Sequence, residues 1–328
     1  ATAGATFSWS RATQANITEA ANSAANATIN ETLTNTGGGS VDVSYYFTTS
    51  ANGCSGTDTV VVSVTPLPAA TIAGTTAICQ GNTSDVIFTG TSGTAPFTFS
   101  YSIDGGATQT VNTVGAATTA TLTAANAATG TFTYSLVSVQ DASCSVAQTG
   151  SAVITVNPSP TATIGGTTAV CRDAGAPNVT FTGTVGTGPF DFEYSINGGA
   201  TQTASGASPL TVAAPTNVAG TFTYSLISVT DATTCSQPQT GSAIITVNDL
   251  PTGSLGNDTV VCTGAPNTNI LFRGAGTTAP YIFTYTIDGG APQNVNTTGG
   301  SSTVSVVANT GAASTYTYAL VSVQDANA

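Results

Sequence analysis

Phe97-Thr98-Phe99-Ser100-Tyr101-Ser102-Ile103-Asp104-Gly105-Gly106 sets a large apolar residue at every second position and a small hydroxyl residue between. Successive side chains of a strand point to opposite faces, so the stretch predicts a β-strand with one packed and one wet face. The Asp-Gly-Gly that follows tolerates positive φ, as a tight hairpin turn requires. The pattern recurs at 192–199 and 283–290, which places three copies in a common register.

Outward from that strand, Gly130-Thr131-Phe132-Thr133-Tyr134-Ser135-Leu136 recurs unchanged at 220–226, and 150–157 recurs with one change at 241–248. The period is about 91 residues and divides most of the chain into copies at 67–157, 158–248 and 249–328. In the first copy, strands are expected at 69–73, 85–91, 97–103, 108–111, 119–123, 131–139 and 151–156, punctuated by Gly, Pro and Asn. Seven short strands at that spacing predict a β-sandwich. Large residues fall at Phe132, Tyr134 and Leu136, then shift to Val137 and Val139, with the same switch at Ile227 and Val321. Either a β-bulge restores the alternation there, or the strand is buried on both faces. The joints Val64-Thr65-Pro66-Leu67-Pro68, Val156-Asn157-Pro158-Ser159-Pro160 and Val247-Asn248-Asp249-Leu250-Pro251 are short and carry proline, which fixes φ. The fold class is therefore all-β, with tandem sandwiches in an elongated, semi-rigid rod whose units touch their neighbours.

Residues 1–66 are a different sequence type, with strands expected at 5–10, 27–33, 41–48 and 58–65 and a turn at Asn52-Gly53-Cys54. This segment reads as incomplete at its N-terminus. The last copy reads as incomplete at its C-terminus, because 321–326 matches 137–142 and the second cysteine and final strand should follow.

Of the 328 residues, 40% are hydrophobic but only 5% are charged, where an ordinary domain carries about 25%. Thr, Ser, Asn and Gln must carry the polar surface. Three Arg, no Lys and no His stand against fifteen acidic residues, for a net charge of -12. Three scattered cations cannot neutralise a run of phosphates, which argues against nucleic acid and against docking on an anionic membrane. No apolar run approaches the roughly 20 residues that span a bilayer. Catalysis would lack a His or Lys base, so no catalytic residue, cofactor or essential transition metal is expected.

Six cysteines occur without a CxxC pair and without His, which favours disulfides over zinc and an oxidising, extracellular or cell-surface location. Cys79, Cys171 and Cys262 share one repeat position; Cys144 and Cys235 share another. Each complete repeat thus owns a pair, and the expected bonds are Cys79–Cys144 and Cys171–Cys235. Cys54 and Cys262 are expected to find partners outside residues 1–328.

Thr-x-x-Val/Ile-Cys, then Ala/Gly-Pro-Phe/Tyr, then Tyr-Ser/Thr-Ile-Asp/Asn-Gly-Gly, then Tyr-x-Leu-Val/Ile-Ser-Val-x-Asp-Ala resembles the immunoglobulin-like repeats of giant adhesins in gliding bacteria with type IX secretion. The match covers 67–328, and 1–66, with Phe7-Ser8-Trp9 and Asn52-Gly53-Cys54, resembles a PKD-like domain of the same proteins. The resemblance implies surface-displayed, adhesive, sometimes filamentous proteins whose immunoglobulin-like repeats are stalks without catalytic residues. It departs from antibody-type domains, since Cys79 precedes the second strand, Cys144 follows the sixth, and the repeats lack a core Trp.

Three further sets of residues are candidate sites. Asp191 and Glu193 share a strand face and could pair as acid and base, but Thr98 and Ser100, then Ile282 and Thr284, replace them in the other copies, which favours a solvated face. Asp141, Asp231 and Asp325 recur after an apolar strand, as an Asx-type turn or as ligands for Ca²⁺. Asp58-Thr59-Val60 and Asp258-Thr259-Val260 resemble the O-glycosylation triplet of the same bacterial group, with Thr59 and Thr259 as acceptors. The leading expectation is a stalk or spacer of a surface adhesin of the kind used in gliding or surface attachment, whose partners are neighbouring domains of the same polypeptide. Its rivals are a self-assembling extracellular filament, in which like chains associate through edge strands that lack protective Lys, and the non-catalytic tail of a secreted enzyme.

Overall fold

Strand alternation becomes a buried aromatic row in a computed structural model that describes all residues except 1–3, 27, 125–126, 257, 267 and 328. Phe97, Phe99 and Tyr101 are buried, Thr98 and Ser100 are half-buried, and Ser102 is buried as well. The described residues form strands, turns and loops with no helix, so no helix is long and apolar enough to cross a membrane. The chain divides into two units, Ala1–Pro158 and Ser159–Ala328.

In the first unit, β1 (Thr6–Arg11), β2 (Asn22–Ala24), β3 (Val41–Ala51) and β4 (Cys54–Val64) form one antiparallel sheet in the order β2-β1-β3-β4. Asn52 and Gly53, with φ of 52° and 81°, close the β3–β4 hairpin where the turn was expected. No strand forms over residues 28–33, and Ala27 lies outside the described residues. That segment instead lies over the sheet. Ile29 and Leu33 pack against the buried Trp9, Val43 and Tyr45, and Trp9 Nε1 donates to the Thr28 carbonyl at 3.2 Å. Its apolar spacing reflects a packed cover rather than a pleat.

The first repeat contains β5 (Ala69–Ala73), β6 (Thr76–Cys79), β7 (Asp85–Ser92), β8 (Thr98–Ile103), β9 (Gln109–Asn112), β10 (Thr119–Thr123), β11 (Gly130–Gln140), β12 (Ser145–Ala147) and β13 (Ser151–Asn157). One sheet runs β10-β7-β5 and the other β6-β13-β11-β8-β9, with β12 beside the end of β11. Phe88, fully buried on the first sheet, meets Phe99 and Tyr101 of the second at ring-centroid distances of 5.7 and 5.2 Å. Burial of one such ring contributes about 2–3 kcal/mol, so this aromatic cluster dominates the core of a domain with few aromatics.

Two strands were not anticipated. The short β6 follows a break at Gly74, where φ is 122° and a Cβ would lie 2.4 Å from the Asp85 carbonyl oxygen. Only glycine lets the chain pass so close, and there it leaves the first sheet to run parallel to β13 on the second. Gly166 repeats the arrangement against Asn178. The other addition, β12, is three residues long, too short for an alternating pattern to reveal.

At the switch in β11, the register against β8 shifts between Leu136 and Ser138, leaving Val137 as the extra residue. Val137 is 40% exposed, and its counterparts Ile227 and Val321 are 38% and 59% exposed, so the strand is bulged rather than buried on both faces.

In the second unit, Thr161–Gly165, Asn178–Val185 and Leu210–Ala213 form a three-stranded sheet facing a six-stranded one that includes Thr168–Cys171, Phe190–Ile196, Gly220–Thr230 and Ser242–Asn248. The last copy pairs Thr252–Leu255, Asn269–Ala275 and Thr303–Val307 in one sheet and Gln293–Asn296, Ile282–Ile287 and Tyr318–Gln324 in another. The hairpin residues Asp104, Asn197 and Asp288 all have φ near 50° and each precedes a glycine at φ near 70°. Each side-chain Oδ1 accepts from a backbone N–H, of Thr133, Thr223 and Thr317, at 2.7 Å. That bond explains an Asp or Asn at a position the turn alone would allow to Gly.

Candidate functional site

The recurring polar feature is the aspartate that ends the bulged strand. Asp141 is 4% exposed, and its Oδ1 accepts from the N–H groups of Ser143 and Cys144 at 2.8 and 2.7 Å, while Oδ2 accepts from Thr94 N–H at 2.9 Å. Asp231 repeats this with Thr233, Cys235 and Thr187, and Asp325 with Asn327. Each carboxylate closes its own turn, and in the first two copies it also ties down the loop after the second long strand. The oxygens are occupied by backbone donors, and among the described residues no group of three or more His, Cys, Asp or Glu could hold a metal ion. The Asx-turn reading therefore accounts for these residues.

Burial raises the pKa of Asp141, but the backbone donors Thr94, Ser143 and Cys144 outweigh it and hold the carboxyl below the ordinary aspartate value. Asp231 and Asp325 are lowered by the same balance. A carboxylate whose folded pKa is depressed contributes stability that is complete above the unfolded pKa, about 4, and is lost as the pH falls through the folded value. Thermal or urea unfolding measured from pH 7 to pH 2 should therefore show stability falling below about pH 4. The Asp141→Asn variant should be destabilised at pH 7 by about 1–3 kcal/mol, since one N–H loses a charged acceptor, and its acid slope should be shallower. An unchanged slope would show that these turns do not govern acid stability.

The cysteines depart from expectation. Cys144 and Cys171 are free thiols, as are Cys54 and Cys262, whereas Cys79 and Cys235 are disulfide-bonded. The bonds Cys79–Cys144 and Cys171–Cys235 are thus not formed, and strand register supplies the reason. Cys79 sits opposite Asn157, beside the Val156–Gly130 pair at the start of β11, whereas Cys144 lies past the end of β11, bonded through its carbonyl to Asp141 N–H. At about 3.3 Å per residue, the length of β11 separates them by roughly 30 Å, against a Cα separation of about 4–7 Å in a disulfide. Cys171, opposite Asn248, and Cys235, beside Asp231, stand at opposite ends of their own repeat in the same way.

Asp191 and Glu193 point to solvent from the Phe190–Ile196 strand, and Glu193 accepts from Ser228 Oγ at 2.7 Å. A depression of about 440 Å³ opens beside the β3–β4 turn and is lined by Phe7, Thr49, Ser50, Cys54 and small residues. Thr59, on the exposed edge strand β4, and Thr259 are both exposed.

One cluster escaped the sequence reading. Arg11, 4% exposed, makes a short ion pair with Glu31, which also accepts from Tyr45 Oη at 3.1 Å and Asn22 Nδ2 at 3.0 Å. Desolvation, then the Glu31 hydrogen bond, raises the Tyr45 pKa. The cluster pins the cover segment 28–33 to the sheet, a structural use of the buried charges. A lone Arg and a Glu twenty residues apart carry no sequence signature for this.

Among known proteins, the family described as PKD-like domain matches residues 1–68. Solved structures with a likeness to the chain include fibronectin(III)-like modules of CbhA from Clostridium thermocellum, at 15% identity, covering 55% of this chain and 95% of that one, with a TM-score of 0.29. An I-band fragment from titin matches at 11% identity over 76% of this chain and 89% of its own, TM-score 0.40. A three-immunoglobulin titin structure, an E-to-A mutated variant, matches at 13% over 73% and 88%, TM-score 0.42. No curated protein matches in sequence. The chain carries tandem β-sandwich repeats behind a segment, residues 1–68, that matches the PKD-like family.

Proposed function

We propose that this segment is a non-enzymatic stalk or spacer of a large secreted or cell-surface adhesin, of the kind exported by type IX secretion and used in attachment or gliding. The observation that carries the reading is the repetition of one set of structural devices in three sandwiches. The bulge, the Asp turn and the Asp/Asn-Gly hairpin recur, while the carboxylate pair Asp191 and Glu193 is not repeated in the other copies. Residues that recur serve the fold, and residues that vary face solvent. Disulfide-bonded cysteines and a PKD-like segment are compatible with an extracellular location. Thr59 and Thr259, both exposed, are the proposed glycan acceptors, which intact-mass measurement of the native protein would check.

A self-assembling filament is the second reading. It is favoured by β4, an unpaired edge of eleven residues on which Val60, Val61 and Val62 are 48%, 56% and 41% exposed, without a Lys to block pairing. Electron microscopy of the native assembly separates the two. Isolated thin rods support the stalk; ordered lateral or end-to-end packing overturns it in favour of the filament.

A further inference from the structure

Two edges of the third repeat are open where the other repeats hold a strand. In the first repeat, β13 runs antiparallel to β11 on one side and parallel to β6 on the other. Ser242–Asn248 holds the same place in the second repeat, between Gly220–Thr230 and Thr168–Cys171. In the third, Tyr318–Gln324 pairs with Ile282–Ile287 on one side and with no strand among the described residues on the other. Residues 259–262, the counterpart of β6, form no strand. That short segment is extended in the other repeats because it has a neighbour to pair with.

Side-chain burial follows the same division. Leu136 and Val139, like Leu226 and Val229, are buried, whereas their counterparts Leu320 and Val323 are half-buried. Ile78 and Val170 pack against the cores of their repeats, whereas their counterpart Val261 is exposed. The strand that closes the first two cores has one sequence type, Ser-Ala-Val/Ile-Ile-Thr-Val-Asn, and its alternate Ala, Ile and Val are at most 2% exposed. Register sets Ala152 opposite Tyr134 and Ile154 opposite Phe132, and the second repeat keeps both pairs with Ala243 and Ile245. The third repeat carries Tyr318 and Tyr316 at the two ring positions.

We propose that the third repeat is a binding site for an extended, uncharged segment of this Ser-Ala-Val/Ile-Ile-Thr-Val-Asn type, presented by a partner polypeptide that carries the last strand of a like repeat. The segment adds antiparallel to Tyr318–Gln324 and parallel to residues 259–262, so that backbone hydrogen bonds to two edges supply affinity. Alternate side chains supply selection: a small Ala leaves room for the Tyr318 ring, and Ile packs on Tyr316. Neither edge carries a charged side chain, and a charge on the inward row of the segment would be desolvated without a partner. The open edge of β4 offers no such definition, since no other copy in the chain shows what pairs with it. The site is independent of whether the chain serves as stalk or filament.

The test uses the full chain and a fluorescein-labelled peptide with the sequence of residues 241–248. Fluorescence anisotropy should show saturable binding, weakened roughly tenfold or more by Ile245→Asp in the peptide because a buried carboxylate is costly. Hydrogen exchange with the unlabelled peptide should slow at both 259–262 and 318–324 and stay unchanged in β4. No saturable binding, binding indifferent to Ile245→Asp, or protection at one edge alone or in β4 would overturn the proposal. A dimer in sedimentation whose 318–324 amides are protected without peptide and unaffected by it would overturn it too, since a second copy would then hold the edge.

Discussion

Replacing Arg11 with alanine is expected to destabilise the N-terminal sheet by about 3–5 kcal/mol, because it strands the largely buried Glu31 carboxylate with Tyr45 Oη and Asn22 Nδ2 as its remaining side-chain donors among the described residues. The loss is large for a small domain whose buried apolar core is Trp9, Ile17, Val43 and Tyr45. The double variant Arg11→Met with Glu31→Leu should recover most of it, since removing both charges removes the desolvation cost with the attraction. Trp9 is the single tryptophan of the chain and is 5% exposed, so its fluorescence during urea unfolding reports this segment and no other. A midpoint for Arg11→Ala indistinguishable from that of the parent would mean that the ion pair contributes nothing. An equal loss in the double variant would point to packing of the arginine stem rather than charge.

Phe181→Ala should cost its repeat about 3–5 kcal/mol by cavity formation and lost transfer energy. The ring is fully buried between Phe192 and Tyr194, at centroid distances of 5.5 and 5.0 Å, and bridges the two sheets. Phe88 and Phe272 occupy the same place in the other copies and should behave alike. By contrast Val218→Ala, at a side chain 57% exposed, should stay within about 0.5 kcal/mol. Limited proteolysis coupled to urea titration would read the affected repeat by its cleavage sites. A Phe181→Ala repeat as resistant as its neighbours would show that the core tolerates the cavity.

Both predictions bear on the proposed role. A spacer transmits load through its sandwiches, so its function would fail where a core or a buried ion pair fails, and no exposed side chain need be indispensable. Asp191 and Glu193 illustrate the difference: they are the most enzyme-like pair in the sequence, and they sit in solvent on a strand face.

By itself the sequence determined the strands that alternate over several residues. Phe97 to Ile103, Thr119 to Thr123 and Ser151 to Val156 were legible because a period of two survives wherever one face is buried and the other is wet. It also determined the Asp/Asn-Gly hairpins, whose positive φ few other residues accept, and the Asp turn, where a side chain bonds backbone a few residues away. Only tertiary structure decided the rest. The bulge at Val137 and the parallel strand β6 depend on which strand lies alongside. The Arg11–Glu31 pair depends on a cover segment that packs without pleating. The cysteine pairing was misread because equivalent positions in a repeat reveal symmetry but not distance. Two cysteines that belong to one domain by sequence stand at its opposite ends, separated by the length of β11, and only strand register reveals that a bond cannot span it.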